Sequence, residues 1–227
     1  MKKFLEFQLQ NQVVVPNNQY SLFNFSKIKP LLEEIKLRYY NGDFGNVVLR
    51  SYTPESDFLK RLADDYDIPH REIIDIFCDE KYAGLSQKSA VDSVDYTNVD
   101  FQKIYKKLCL LLAPVLGLES DGINIRIHVQ KPGQFHALHI DYVKTRLSKN
   151  AKITDDPDHT KFLIFFDDWQ EGQAFQINQD FLKWKSCDVL NYNIRDSQHG
   201  SANFGYEDRF LMLVTGRYKD GVKKIFT

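Results

Sequence analysis

The chain has 227 residues, 43% of them hydrophobic and 27% charged, with a formal net charge of -1. That length suits one folded unit with a sizeable core, and the balanced charge gives no polyanion-binding surface, so no nucleic-acid partner is expected. The three cysteines, Cys78, Cys109 and Cys187, are too widely spaced for a zinc pattern or a disulfide framework and point to free thiols in a reducing compartment.

In chain order, the N-terminal stretch MKKFLEFQLQ is interrupted by Glu6, Gln8 and Gln10 and does not read as a signal peptide. The first half is expected to be mostly helical, with short strands in FLEFQL and NVVLRSY. SKIKPLLEEIKLRYYNG reads as a helix with Ser26 as a cap candidate and Asn41-Gly42 as its stop. TPESDFLKRLADDYDIP and HREIIDIFCDE read as two more helices. NVDFQKIYKKLCLLLAPVLGL puts Phe101, Ile104, Leu108, Leu111 and Leu112 on one face, with Pro114 and Gly117 marking its end. Its apolar run is too short to span a bilayer, so a soluble, cytoplasmic protein without a membrane partner is expected.

From about residue 122 the period changes from helix to strand. INIRIHV alternates, with Ile123, Ile125, Ile127 and Val129 on one face. After the Pro132-Gly133 turn, QFHALHIDYV places Phe135, Ala137, His139 and Asp141 on a shared face. KFLIFFDDW, QAFQIN, CDVLNYN, GSANF and RFLMLVTGRY follow, a spacing of short strands that indicates a sandwich or barrel. The 17 Phe and 12 Tyr suit such sheet-rich packing. The expected division is a mostly helical region, 1–121, packed on a β core, 122–227, as one folding unit. Residues 144 to 160 form a long polar connection, either a lid or a surface insertion.

The chemistry concentrates in three side chains. His139 and Asp141 share a strand face, and His199 would supply a third ligand from a neighbouring strand. Two imidazoles and a carboxylate leave open metal positions, and nitrogen and oxygen donors without thiolate fit non-haem Fe(II) better than structural zinc. His136 falls on the opposite strand face from His139. His128 faces away from the isoleucines of its strand, towards a cavity or solvent. His159 and His70 read as structural or surface residues. Arg209 opens a strand with Leu211 and Leu213 on its own face and needs a partner, because an unpaired buried charge is costly. That partner is either an organic dicarboxylate, matched by the guanidinium fork, or a neighbouring Asp208 or Glu207.

At His139-Ile140-Asp141, His199 and Arg209 the sequence resembles the Fe(II)/2-oxoglutarate-dependent dioxygenases. The best local match is CDVLNYNIRDSQHGSANFGYEDRFLMLVTG, similar to prolyl and aspartyl/asparaginyl hydroxylase-type sequences. It departs from them at Cys187-Asp188, where Gly-Asp is usual. The resemblance spans roughly residues 122 to 218 and implies an α+β protein with a double-stranded β-helix (jelly-roll, cupin-like) core buttressed by helices. It also implies Fe(II), O2 and 2-oxoglutarate as cofactors and cosubstrate. His139, Asp141 and His199 would hold the metal, and Arg209 the far carboxylate. Asn203, Tyr142 and Gln130 are further candidates for cosubstrate or substrate contacts. An acidic residue at Asp141 favours hydroxylation over halogenation. The substrate is a small metabolite such as an amino acid, or a protein side chain, and the oligomeric state is open. Two other readings stand beside this one: a non-catalytic jelly-roll that binds a metal or small ligand, and a cupin-like enzyme using iron without 2-oxoglutarate.

Overall fold

The computed structural model describes residues 13–14, 20–45, 47–51, 59–60, 63–64, 69–77, 90–95, 98–139, 159–194 and 197–222. The strand FLEFQL, Asp141, Tyr142, Cys78, the connection 144–158 and most of TPESDFLKRLADDYDIP therefore lie outside the described residues.

Alternating residues from β5 (Asn124–Gln130) onward build two facing antiparallel sheets. The larger holds β1 (Val13–Val14), β2 (Tyr20–Asn24), β10 (Asp188–Tyr192), β7 (His159–Phe165), β12 (Arg209–Arg217), β5, β4 (Ala90–Asp95) and β3 (Val48–Ser51), in that order. The smaller runs β6 (Phe135–His139), β11 (His199–Asn203), β8 (Gln173–Ile177), β9 (Asp180–Phe181). Successive strands trade sheets, except that β8 and β9 pair as a hairpin: β5, β7, β10 and β12 lie in one, β6, β8, β9 and β11 in the other. That alternation is the double-stranded β-helix, or jelly-roll, in which two packed sheets share one interior.

β2 pairs with β10 and β4 with β5, so strands of the first half extend the larger sheet at both sides and the ladder crosses residue 121. These two strands were not evident in the sequence. The outer face of the sheet carries Ile125, Ile127, Val129, Phe162, Ile164, Phe210, Met212 and Val214, all buried. They pack on α1 (Lys29–Tyr40), on Ile28 just before it and on α3 (Gln102–Leu116), through Leu32, Ile35, Ile104, Leu108 and Leu112. The i, i+4 spacing of Ile104, Leu108 and Leu112 is what gives α3 one apolar stripe. A shorter helix, α2 (His70–Phe77), lies between β3 and β4 in sequence.

Helix ends follow local chemistry with two departures. Ser26 caps nothing: it opens a 3-10 turn, Ser26–Ile28, and α1 starts after it with Pro30 in the first turn, where its missing N–H costs no bond. Pro114 sits inside α3, which runs on to Leu116 and stops at Gly117 in the left-handed conformation (φ 67°). Among the described residues, no helix is long and apolar enough to cross a membrane.

Candidate active site

The inner face of the larger sheet is chemically unlike the outer one. Along β12 the inward residues are Arg209, Leu211 and Leu213, opposite Gln130, His128 and Arg126 of β5 and, on the other side, Phe165 and Leu163 of β7 for the two leucines. A cavity of about 40 Å³ opens there, lined by polar groups including His128, Gln130, His136, Lys161, His199, Ser201 and Arg209 and by an apolar wall that includes Leu163, Phe175 and Leu211. Among the described residues, no aspartate or glutamate lines it.

His199 is buried at the start of β11. Its Nδ1 lies 3.3 Å from the carbonyl oxygen of Ser197. A carbonyl only accepts, so this contact needs a proton on Nδ1; in the neutral ring the lone pair is then on Nε2, the nitrogen through which a metal would bind. The ring also packs on Tyr192, with centroids 4.8 Å apart. Across the ladder, the backbone of His139 pairs with that of His199. The two proposed imidazole ligands thus occupy directly opposed positions on adjacent strands. Asp141 lies two residues past the end of β6, outside the described residues.

β6 does not alternate as its sequence suggests. His139 pairs with His199 and His136 with Ser201, so three steps on β6 match two on β11. The extra residue is a β-bulge, which brings His136 into the row opposite Ser201, and His136 lines the cavity instead of facing away from it. A bulge leaves no mark in a hydrophobic pattern, so the sequence reading missed this histidine. His128 takes the cavity side of the two places open to it.

Arg209 is 5% exposed. Neither Asp208 nor Glu207 pairs with it. Nη1 donates to the carbonyl of Ala174 at 2.9 Å, while Nε has no hydrogen-bond partner. The guanidinium carbon lies 6.0 and 5.7 Å from the ring centres of Phe175 and Trp184, and Trp184 stacks on Phe165 at 4.4 Å. Trp184 and Phe175 thus form an aromatic wall around the charge. Burial strips water from the guanidinium and lowers its pKa to about 9, which leaves it charged at neutral pH.

Gln130, also buried, pairs with Arg209 across the ladder. Its Nε2 donates to Ser201 Oγ at 3.0 Å, and its Oε1 is an unpartnered acceptor. Asn203 does not line the cavity. Its Nδ2 donates to the carbonyls of Gln130 and Glu207, both at 2.7 Å, and its Oδ1 accepts from the Gly205 amide at 3.1 Å. With Gly133 N donating to Asn203 O at 2.7 Å, it staples the β5–β6 turn to the β11–β12 loop and seals the Arg209 end. Its amide is consumed by backbone and is not turned to the cavity.

Cys187, which stands where the resembled sequences carry glycine, adopts the left-handed φ of 68° that glycine favours. The turn before β10 thus holds a buried thiol in a conformation that costs roughly 1–2 kcal/mol for a residue with a Cβ. Its amide donates to Phe165 O at 2.8 Å and its carbonyl accepts from Phe25 N at 2.9 Å.

Solved structures share this architecture. A non-haem α-ketoglutarate-dependent carbocyclase, SnoK of nogalamycin biosynthesis, superposes with a TM-score of 0.54 at 9% identity, covering 96% of this chain and 84% of its own. The non-haem α-ketoglutarate-dependent epimerase SnoN, from the same biosynthesis, gives 0.52 at 6% identity, covering 96% and 82%. A Pseudomonas putida prolyl-4-hydroxylase overlaps more loosely, at a TM-score of 0.45 and 12% identity over 89% and 94% of the two chains. At these identities the likeness to the carbocyclase and the epimerase is one of fold. No family model matches the sequence, and no curated protein is similar to it at a significant level.

Proposed function

We propose that the protein is an Fe(II)- and 2-oxoglutarate-dependent oxygenase that hydroxylates an unactivated C–H bond. One observation carries this reading: Arg209 has a buried, unpartnered Nε beside a cavity that no carboxylate lines among the described residues, and His199 lines the same cavity with its Nδ1 turned to the Ser197 carbonyl. A buried guanidinium donor without an acceptor is costly, and a carboxylate entering the cavity removes that cost. The two α-ketoglutarate-dependent enzymes that share the fold support the same cosubstrate.

The residues fit both groups. His139, His199 and Asp141 would hold the iron, since the donors are nitrogen and oxygen and the buried thiol of Cys187 belongs to the other core, between sheet and helices. The chemistry supplied by bound iron and 2-oxoglutarate is decarboxylation of the keto acid to succinate and CO2, coupled to insertion of oxygen from O2 into a C–H bond. Arg209 binds the far carboxylate and fixes the cosubstrate's depth. Phe175 and Trp184 exclude water around that ion pair, which strengthens it. The Ser197 carbonyl orients the His199 ring. Gln130 Oε1 accepts from a donor on the substrate or a bound water.

Succinate formation from 2-oxoglutarate, with Fe(II) and pools of metabolites and peptides, is the test. It should be abolished in His139→Ala, Asp141→Ala and His199→Ala, with far-UV circular dichroism unchanged. Unaltered turnover in Asp141→Ala would remove the metal assignment. Binding of 2-oxoglutarate without any succinate would favour a sensing module, and turnover insensitive to Arg209→Ala would favour a cupin-like reaction that needs no keto acid.

A further inference from the structure

We propose that the outside of the sealed Arg209 end is a docking surface for a basic polypeptide segment, whose Lys and Arg side chains settle on Phe204 and Tyr206 among the carboxylates of two loops. This surface is separate from the cavity and independent of the reaction proposed above.

Two loops meet there. Residues 167–172, DDWQEG, follow β7, and residues 203–208, NFGYED, lead from the end of β11 into β12. The loops are bonded to each other: the Phe204 amide donates to Gly172 O at 2.8 Å, and Gln170 Nε2 donates to Glu207 Oε2 at 2.9 Å. They are also closely packed, since a Cβ at Gly172 would lie 2.7 Å from the Gly205 amide nitrogen. The last turn of α1 abuts them. The Tyr40 hydroxyl is bonded to Asp208, and the Tyr40 ring stands edge-on to Phe210 at 5.6 Å.

Large apolar side chains stand in the open at this end. Tyr206 is 100% exposed and Phe204 68%, while Leu37 and Tyr40, neighbours on one face of α1, are exposed as well. Leu110, Val99 and Phe181 are the other exposed large hydrophobics among the described residues, and they lie in α3, in the segment before it and in β9. Such a concentration of aromatic surface marks an interaction site.

Charge decides the partner. The two loops hold Asp167, Asp168, Glu171, Glu207 and Asp208, and their sequences contain no Lys or Arg. Lysines from other elements reach two of these acids, Lys36 Nζ at 2.8 Å from Asp167 and Lys185 Nζ at 3.6 Å from Asp168. The chain also provides an example of what these rings accept: Lys183 Nζ lies 4.2 Å from the ring centre of Trp169, the third aromatic of the loops. An ammonium on a ring face with carboxylates around it gains from the ring quadrupole and from the negative field together. Phe204 and Tyr206 offer the same combination to a cation carried by another molecule. A second copy of this chain is a poorer occupant, because a two-fold contact would set these acids against their own counterparts.

The test is fluorescence anisotropy of the full chain with a labelled peptide of alternating Lys and Arg between glycines, set against the same peptide with Glu in their place. The basic peptide should bind, the acidic one should not, and added salt should weaken the complex. Phe204→Ala combined with Tyr206→Ala should weaken it by about five- to thirtyfold, the loss expected for two exposed cation–π contacts. Glu171→Lys combined with Glu207→Lys should abolish it, and Leu110→Ala, on the exposed face of α3, should leave it unchanged. All five side chains are at the surface, so circular dichroism should report the parent fold throughout. The proposal is overturned if the basic peptide does not bind, if the acidic peptide binds as well, or if the Phe204→Ala, Tyr206→Ala protein binds like the parent, which would reduce the effect to charge alone. Concentration-dependent dimers of the parent in sedimentation, lost in Tyr206→Ser, would assign the surface to a second copy and overturn it too.

Discussion

The two faces of the larger sheet are made by alternate residues of the same strands, yet they do opposite things. On β12 the outward residues are Phe210, Met212 and Val214, and the inward ones are Arg209, Leu211 and Leu213. The outer face meets α1 and α3 in a continuous apolar core. The inner face carries Arg209, Lys161, His128 and Gln130 around a cavity. Close packing outside supplies the stability that charge burial inside consumes, and the strand period of two keeps these roles one residue apart.

The sharpest way to break the outer face is Phe162→Ala. Phe162 is fully buried and sits edge-on to Tyr218 at 6.2 Å. Its truncation should cost about 3–5 kcal/mol in denaturant unfolding, through lost transfer energy and a cavity. The same measurement on an inner-face cation should not show a loss of that size.

Asn203→Ala tests the seal at the end of the inner cavity. It leaves the carbonyls of Gln130 and Glu207 and the Gly205 amide without their side-chain partner. A loss of about 1–3 kcal/mol in stability is expected, with weaker 2-oxoglutarate binding because the Arg209 end loosens. Unchanged binding at equal stability would separate the seal from the site.

Arg209→Met is the substitution expected to cost no stability, and its sign is the informative part. The folded pKa of Arg209 is pulled down from 12.5 to about 9 by burial, so the fold disfavours the charged form. Below pH 9 the group is charged in both folded and unfolded states and the penalty is present in full. As pH rises from 9 towards 12.5 the penalty fades. The ligand-free Met variant should therefore be at least as stable as the parent at pH 7, with its advantage shrinking above pH 9. Unfolding curves for both proteins between pH 7 and 10.5 measure this. The variant should also lose the gain of about 2.7 kcal/mol that ligand at a hundred times its Kd confers on the parent. A Met variant clearly less stable at pH 7 would mean that Arg209 is a structural residue.

Some of this was legible from the residues in order. INIRIHV and RFLMLVTGRY announced their strands and faces, because Ile125, Ile127, Val129, Leu211 and Leu213 keep the strand period. Arg209 stood out as a charge in phase with buried leucines, and burial follows phase. The residues around the cavity were less visible. His136 arrived by a bulge, Lys161 by lying in a run that reads as uniformly apolar, and Trp184 by a strand-free segment that returns to the charge.

Sequence alone determined which residues alternate, where the described helices and most of the core strands run, and which side chains carry groups suited to a metal and a dicarboxylate. Only the tertiary structure decided that β2 and β4 widen the sheet, that Asn203 closes an end, and that two cations share one cavity. Periodicity and residue type are local properties carried along the chain, whereas bulges, edge pairing and cavity depth arise when strands distant in sequence choose a register, which no single segment encodes.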